Sequence, residues 1–102
     1  MGEGLKRTYF DVSLVFNGLR ITEVIIDQHY RVNHPDMSDD IILELIKKLH
    51  RLNLKPTAIK GEFSYYVVQP LYWNERPYRI IVMLEQRCQY IGVINAFRIK
   101  EN

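Results

Sequence analysis

Two stretches of alternating apolar and polar residues, 9–16 and 19–26, flank the pair Asn17-Gly18. This pattern predicts a β-hairpin closed by a type I′ turn, because Asn and Gly accept the left-handed backbone that both central positions require. A two-residue loop sets Phe16 opposite Leu19 and Leu14 opposite Ile21. Phe10, Val12, Leu14, Phe16, Leu19, Ile21 and Ile25 are then expected on one face, against a helix.

The period changes at about Asp39. Ile42, Leu45, Ile46, Leu49 and Leu52 recur at three- and four-residue steps and form one apolar stripe. Ser38 is the expected N-cap, Asp39 and Asp40 place negative charge at the positive end of the helix dipole, and Asn53 and Pro56 end the helix. Residues 63–69, 78–85 and 90–99 are rich in aromatic and β-branched side chains and predict three more strands. Residues 70–77 are expected to form a proline-bounded connection and residues 86–88 a short turn. The order ββαβββ predicts an α+β fold, an antiparallel sheet of about five strands with one main helix on one face, spanning 1–102 as a single domain.

Composition narrows the class. The chain is 47% hydrophobic and 25% charged, the balance of a folded globular protein. No apolar run approaches the ~20 residues that cross a bilayer, so no membrane partner is expected. Cys88 is the single cysteine, which rules out an internal disulfide and suits a reducing, cytoplasmic setting. The formal charge of +2 is too small to define a nucleic-acid binder. The five glycines are scattered, so no phosphate-binding loop is present.

Candidate chemistry concentrates between the second strand and the helix, where His29, Tyr30, Arg31 and His34 gather proton-transferring and anion-holding groups. Zinc is not expected: helical zinc ligands are spaced by four, His29 and His34 by five, and no further ligand cluster accompanies them. No cofactor is implied. Acid-base chemistry needs only one imidazole, with a cation to hold a phosphate. The plainer reading leaves His29 and Tyr30 as a continuation of the strand and His34 at the helix entrance.

In the last strand Tyr90, Gly92, Ile94, Ala96 and Arg98 alternate with Ile91, Val93, Asn95, Phe97 and Ile99, so Gly92 and Ala96 beside Arg98 make a shallow floor for an anion. A three-residue turn places Arg79 opposite Asn95, and a one-residue change moves it to the side of Arg98. Tyr65, with Tyr66, Tyr72, Trp73 and Tyr78, supplies rings for stacking bases or for packing.

His29-Tyr30-Arg31, Met37-Ser38-Asp39-Asp40 at the helix start and Ala96-Phe97-Arg98 near the end carry a likeness. In them the chain resembles the small toxin ribonucleases of the RelE, EndoU and colicin-nuclease superfamily. The resemblance implies metal-independent RNA cleavage by attack of the 2′-hydroxyl on the neighbouring phosphate. His29 would be the acid or base, Arg79 and Arg98 would stabilise the phosphate, and Tyr30, Arg31, His34, Tyr65 and Asn95 would hold the substrate. RNA and an antitoxin or immunity protein are the implied partners. The rival expectation is a non-enzymatic binding protein, antitoxin-like or phage-derived, that pairs or homodimerises through a sheet edge and the aromatic segment 71–78. Convergence of His29, Arg79 and Arg98 on one concave face favours catalysis, and their dispersal beside an apolar patch favours binding.

Overall fold

In a computed structural model, which describes residues 6–100, the Asn17-Gly18 turn closes the expected hairpin of β1 (Arg7–Phe16) and β2 (Leu19–Asp27). Both turn residues have positive φ, 54° at Asn17 and 75° at Gly18, as a type I′ turn requires. Phe16 faces Leu19 and Leu14 faces Ile21. Beyond that pair Val12 and Ser13 together stand opposite Thr22, a β-bulge that shifts the register by one. Its consequence corrects the expected face: Val24 and Ile26 enter the core, and Ile25 points away from it.

The chain then makes a one-turn helix α1 (Tyr30–Asn33) before the expected helix α2 (Asp39–Lys47). Ser38 caps α2 through its hydroxyl oxygen, which accepts the Ile41 N–H at 3.2 Å. Ile42, Leu45 and Ile46 are buried, and Leu49 joins them in the core. The helix ends before the stripe does. From Leu49 to Leu52 the N–H groups reach back three residues or leave the helix, and Arg51 turns to a φ of 69°. The edge of β1 competes for this segment: the Arg51 N–H donates to Val15 O at 2.7 Å, and the Val15 N–H donates to His50 Nδ1 at 3.0 Å.

The remaining strands are β3 (Ala58–Lys60), β4 (Phe63–Trp73), β5 (Arg76–Glu85) and β6 (Tyr90–Arg98). Among the described residues the sheet has six strands in the order β1-β2-β6-β5-β4-β3, rather than five. It is mixed, because β2 runs parallel to β6 while every other pair is antiparallel. The expected 70–77 connection is also absent. β4 continues through Gln69 and Pro70, which form a bulge opposite Arg79, and the chain reverses at Asn74-Glu75, again with two positive φ values. Proline is tolerated there because β3 pairs with β4 only from Phe63 to Tyr65, which leaves Pro70 on a free edge.

One face of the sheet carries the core. Leu14, Phe16, Ile21, Val24 and Ile26 from the hairpin meet Ile80, Val82, Leu84, Ile91, Val93 and Ala96 under α2. Burying each large aliphatic side chain contributes about 1.5–3 kcal/mol. Asn17 ties this layer together. Its Oδ1 accepts the Leu54 N–H at 2.7 Å, and its Nδ2 donates to Leu54 O at 3.1 Å and to Tyr66 Oη at 2.9 Å. The turn residue thereby fixes the segment after α2 and the buried Tyr66, whose ring meets Phe16 edge to face at 5.3 Å.

Two Asn17 variants separate these roles. Asn17→Gly keeps the turn and loses the clamp, and is expected to lower unfolding stability by about 1–2 kcal/mol. Asn17→Ala adds left-handed backbone strain of roughly 1 kcal/mol. Urea midpoints at constant slope measure both, and equal losses in the two variants would contradict the division.

Candidate functional site

The β5–β6 register decides which candidate residues meet. Leu84, Met83 and Val82 face Ile91, Gly92 and Val93, but Ile81 faces Asn95, because Ile94 is an extra residue on β6. Tyr78 then pairs with Arg98 and Arg79 with Phe97. Successive side chains on a strand leave opposite faces. Arg98 therefore lies on the side of buried Tyr78, and Arg79 lies on the other. The same bulge divides the expected anion floor: Gly92 opens on the side away from α2, and Ala96 with Arg98 is on the α2 side. Asn95 shares the Arg79 side, and its Oδ1 accepts the following Ala96 N–H at 2.9 Å.

His29 stands apart from both arginines in contact and role. It is exposed at the start of α1, its N–H donates to Asp27 Oδ1 at 3.0 Å, and its Nδ1 lies 3.5 Å from the same oxygen. Tyr30 does not extend the strand. It is buried, and its hydroxyl donates to Asp39 Oδ1 at 2.6 Å. Gln28 Nε2 donates to that oxygen at 3.1 Å, and Arg31 Nη2 lies 3.4 Å from it. Arg31 Nε also donates to Gln28 Oε1. One carboxylate oxygen thus gathers three donors and joins α1 to the first turn of α2. Burial raises the Tyr30 phenol far above the ordinary tyrosine value, and hydrogen bonding to the Asp39 carboxylate adds to the rise.

His34 stacks on Phe97, with ring centroids 4.8 Å apart and planes at 21°. Arg79 holds its guanidinium carbon 5.7 Å from the centroid of that same ring. Its Nε is buried and has no hydrogen-bond partner among the described residues. Of the eight candidates, His34, Arg79 and Asn95 are thus brought to one end of one face. Tyr65 lies on that face too, on β4 with β5 and β6 between it and the hairpin, and Lys60 Nζ is 5.8 Å from its ring centroid. Tyr30 and Arg31 are engaged with Asp39, Arg98 lies on the other side of the sheet, and His29 is held by Asp27.

The face away from α2 has a composition of its own. Phe63, Tyr65, Val67, Ile81, Met83, Ile25 and Tyr90 are only half-buried there, covering one another, while half-buried Phe97 at one end lies under His34 at the end of α1. Tyr9, at its margin, is 59% exposed. A groove of about 350 Å³ opens in its middle around Gly92, Met83, Tyr65 and Tyr90. Glu85 and Met83 belong to this groove although the sequence analysis did not select them. Their signal was the alternation in β5, which sends Tyr78, Ile80, Val82 and Leu84 inward and therefore Ile81, Met83 and Glu85 outward.

Among the described residues, no group of His, Cys, Asp and Glu is arranged to hold a metal ion, and no helix is long and apolar enough to cross a membrane. No protein-family model, curated protein or solved structure matches the chain.

Tyr30 gives a pH-dependent test. A phenol whose pKa is raised by folding contributes stability that is fully present below the unfolded value of about 10 and is lost as pH rises toward the folded value. Tyr30→Phe is expected to cost about 1 kcal/mol at pH 8. The gap should narrow steadily above pH ~10, since the variant has no phenol to ionise on unfolding. Urea titrations of both proteins at several alkaline pH values check this, and a gap independent of pH refutes it.

Proposed function

We propose that this protein is a non-enzymatic binding module that holds another polypeptide on the sheet face opposite α2. The observation that carries the reading is that half-buried face of aromatic, aliphatic and methionine side chains, which runs across all the long strands and is overlaid by His34 at its Phe97 end. Aromatic residues, methionine and arginine are the side chains enriched where proteins meet. An apolar surface of this kind on a small domain marks a binding site.

Charge favours a polypeptide over RNA. By register, Arg7, Arg20, Lys60 and Arg79 share this face with Asp11, Glu23, Asp27 and Glu85, so the face carries no excess of cations. A nucleic-acid surface needs such an excess, because affinity comes chiefly from cations that neutralise phosphates. The ribonuclease reading also requires His29, Arg79 and Arg98 around one phosphate, whereas the two arginines leave opposite sides of the sheet.

The test uses purified wild type beside Tyr65→Lys and Ile81→Lys on the open face, and beside His29→Ala and Arg98→Ala elsewhere. RNA is expected to remain intact with all five proteins. A polypeptide cross-linked to wild type from its own cell extract should be retained by the His29 and Arg98 variants and reduced at least about tenfold by either open-face variant, the loss of a buried contact worth ~1.4 kcal/mol or more. RNA cleavage that disappears in His29→Ala would falsify the binding reading.

A further inference from the structure

Gly92 interrupts a row of side chains that crosses the open face. Tyr65 on β4, Met83 on β5, Gly92 on β6, Ile25 on β2 and Tyr9 on β1 stand opposite one another in turn. With no side chain at the centre of the row, the neighbouring Met83 side chain settles over the backbone of β6, and Gly92 is buried beneath it. A Cβ at Gly92 would lie 3.1 Å from Met83 Cε and 3.7 Å from Tyr90 Cε2, so the Met83 methyl already fills the space over Gly92 and, with Tyr90, forms the floor of the groove.

The adjoining row supplies charge. Phe63 faces Glu85, and Glu23 faces Tyr90. The Tyr90 hydroxyl donates to Glu85 Oε1 at 2.7 Å, which orients that carboxylate beside the groove. Burial, reinforced by Glu85, pushes the Tyr90 phenol up to about 12, so it stays a neutral donor near pH 7. Arg7 and Asp27 also line the groove, and with Lys60 beside Tyr65 the three carboxylates Asp27, Glu85 and Glu23 exceed the two cations by one. Three aromatic rings and a held carboxylate attract a cation, the rings through their quadrupoles and the carboxylate directly. Lys60 provides an internal instance, with its ammonium 5.8 Å from the Tyr65 ring centroid.

We infer that the groove over Gly92 receives a cationic side chain, arginine or lysine, projecting from the bound polypeptide. This rests on the binding-module reading and specifies its chemistry. Glu85 accepts hydrogen bonds from the incoming cation, Phe63, Tyr65 and Tyr90 surround its aliphatic stem and charge, and Gly92 lets the Met83 methyl sink toward β6 so that it does not fill the groove. An acidic side chain would meet Glu85 and Glu23 at close range, and a neutral one would forgo the carboxylate.

The Met83 methyl and Gly92 amide signals of the full chain report on the groove by NMR. Titration with N-acetyl-arginine methylamide or N-acetyl-lysine methylamide is expected to move both signals saturably. The norleucine and glutamate analogues at the same concentrations should leave them in place. Glu85→Gln is expected to weaken the arginine probe by about tenfold, the effect of losing a hydrogen bond to a charged group. Gly92→Val pushes the Met83 methyl up into the groove and should abolish the response with the rest of the spectrum preserved. If that variant does not fold, the Glu85→Gln comparison decides. An equal response to norleucine, or arginine affinity unaltered by Glu85→Gln, overturns the inference. Silence toward every probe, with partner capture still lost in Tyr65→Lys and Ile81→Lys, removes the cation pocket and leaves the binding module standing. Silence with capture unaffected removes both.

Discussion

The parallel pairing of β2 with β6 is the contact on which the rest of the molecule depends. Glu23, Val24, Ile25 and Ile26 lie beside Tyr90, Ile91, Gly92 and Val93, joining the N-terminal hairpin to the β3–β6 meander across most of the chain length. Without it the hairpin would be a two-stranded unit, marginal in water, and the meander would lose the hairpin's share of its apolar cover. With it, Val24 and Ile26 meet Ile91 and Val93 beneath α2, and Ile25 and Gly92 meet on the other side. Core and open face are therefore two products of one pairing. It is also a distant pairing in sequence, whose loop-closure entropy must be offset before its burial contributes.

Three bulges then assign side chains to those two products. The extra residue at Val12-Ser13 accompanies the change of side that sends Ile25 outward, Gln69-Pro70 sit opposite Arg79, and Ile94 separates Gly92 from Ala96 and Arg98. A one-residue shift in register reverses the facing of every position beyond it. That rule explains how two arginines near paired strand ends come to serve different surfaces. It also makes the open face possible, because it gathers Met83, Gly92 and Ile25 in one row while preserving an aliphatic core behind them.

Polar side chains that suggested chemistry are largely engaged in holding the chain together. Asp39 Oδ1 gathers Tyr30, Gln28 and Arg31 at the junction of the two helices. The three histidines have separate partners: His29 rests on Asp27, His34 on Phe97, and His50 accepts a backbone N–H at the β1 edge. That last contact, with Arg51, shields part of an edge strand whose free backbone groups would otherwise template pairing with another chain. These roles leave the open face, rather than the strand-to-helix junction, as the surface with unspent apolar contact.

Local chemistry made much of this legible from the sequence. Asn17-Gly18 specified its turn because few other pairs accept two left-handed residues, Ser38 marked the start of α2, and the stripe from Ile42 to Leu49 marked its buried side. The alternating strands and the α+β class followed from the same periodicities. Asn74-Glu75 lacked the glycine that announces such a turn, and three-residue β3 was too short to show a period. Neither the parallel β2–β6 neighbours nor the bulges have a local signature: they are chosen by which register buries the most apolar surface once all strands are present. For the same reason the sequence set Arg79 beside Asn95 or beside Arg98 according to one turn residue, and only tertiary pairing decided that His34, Arg79, Asn95 and Tyr65 share a face and that Arg98 does not.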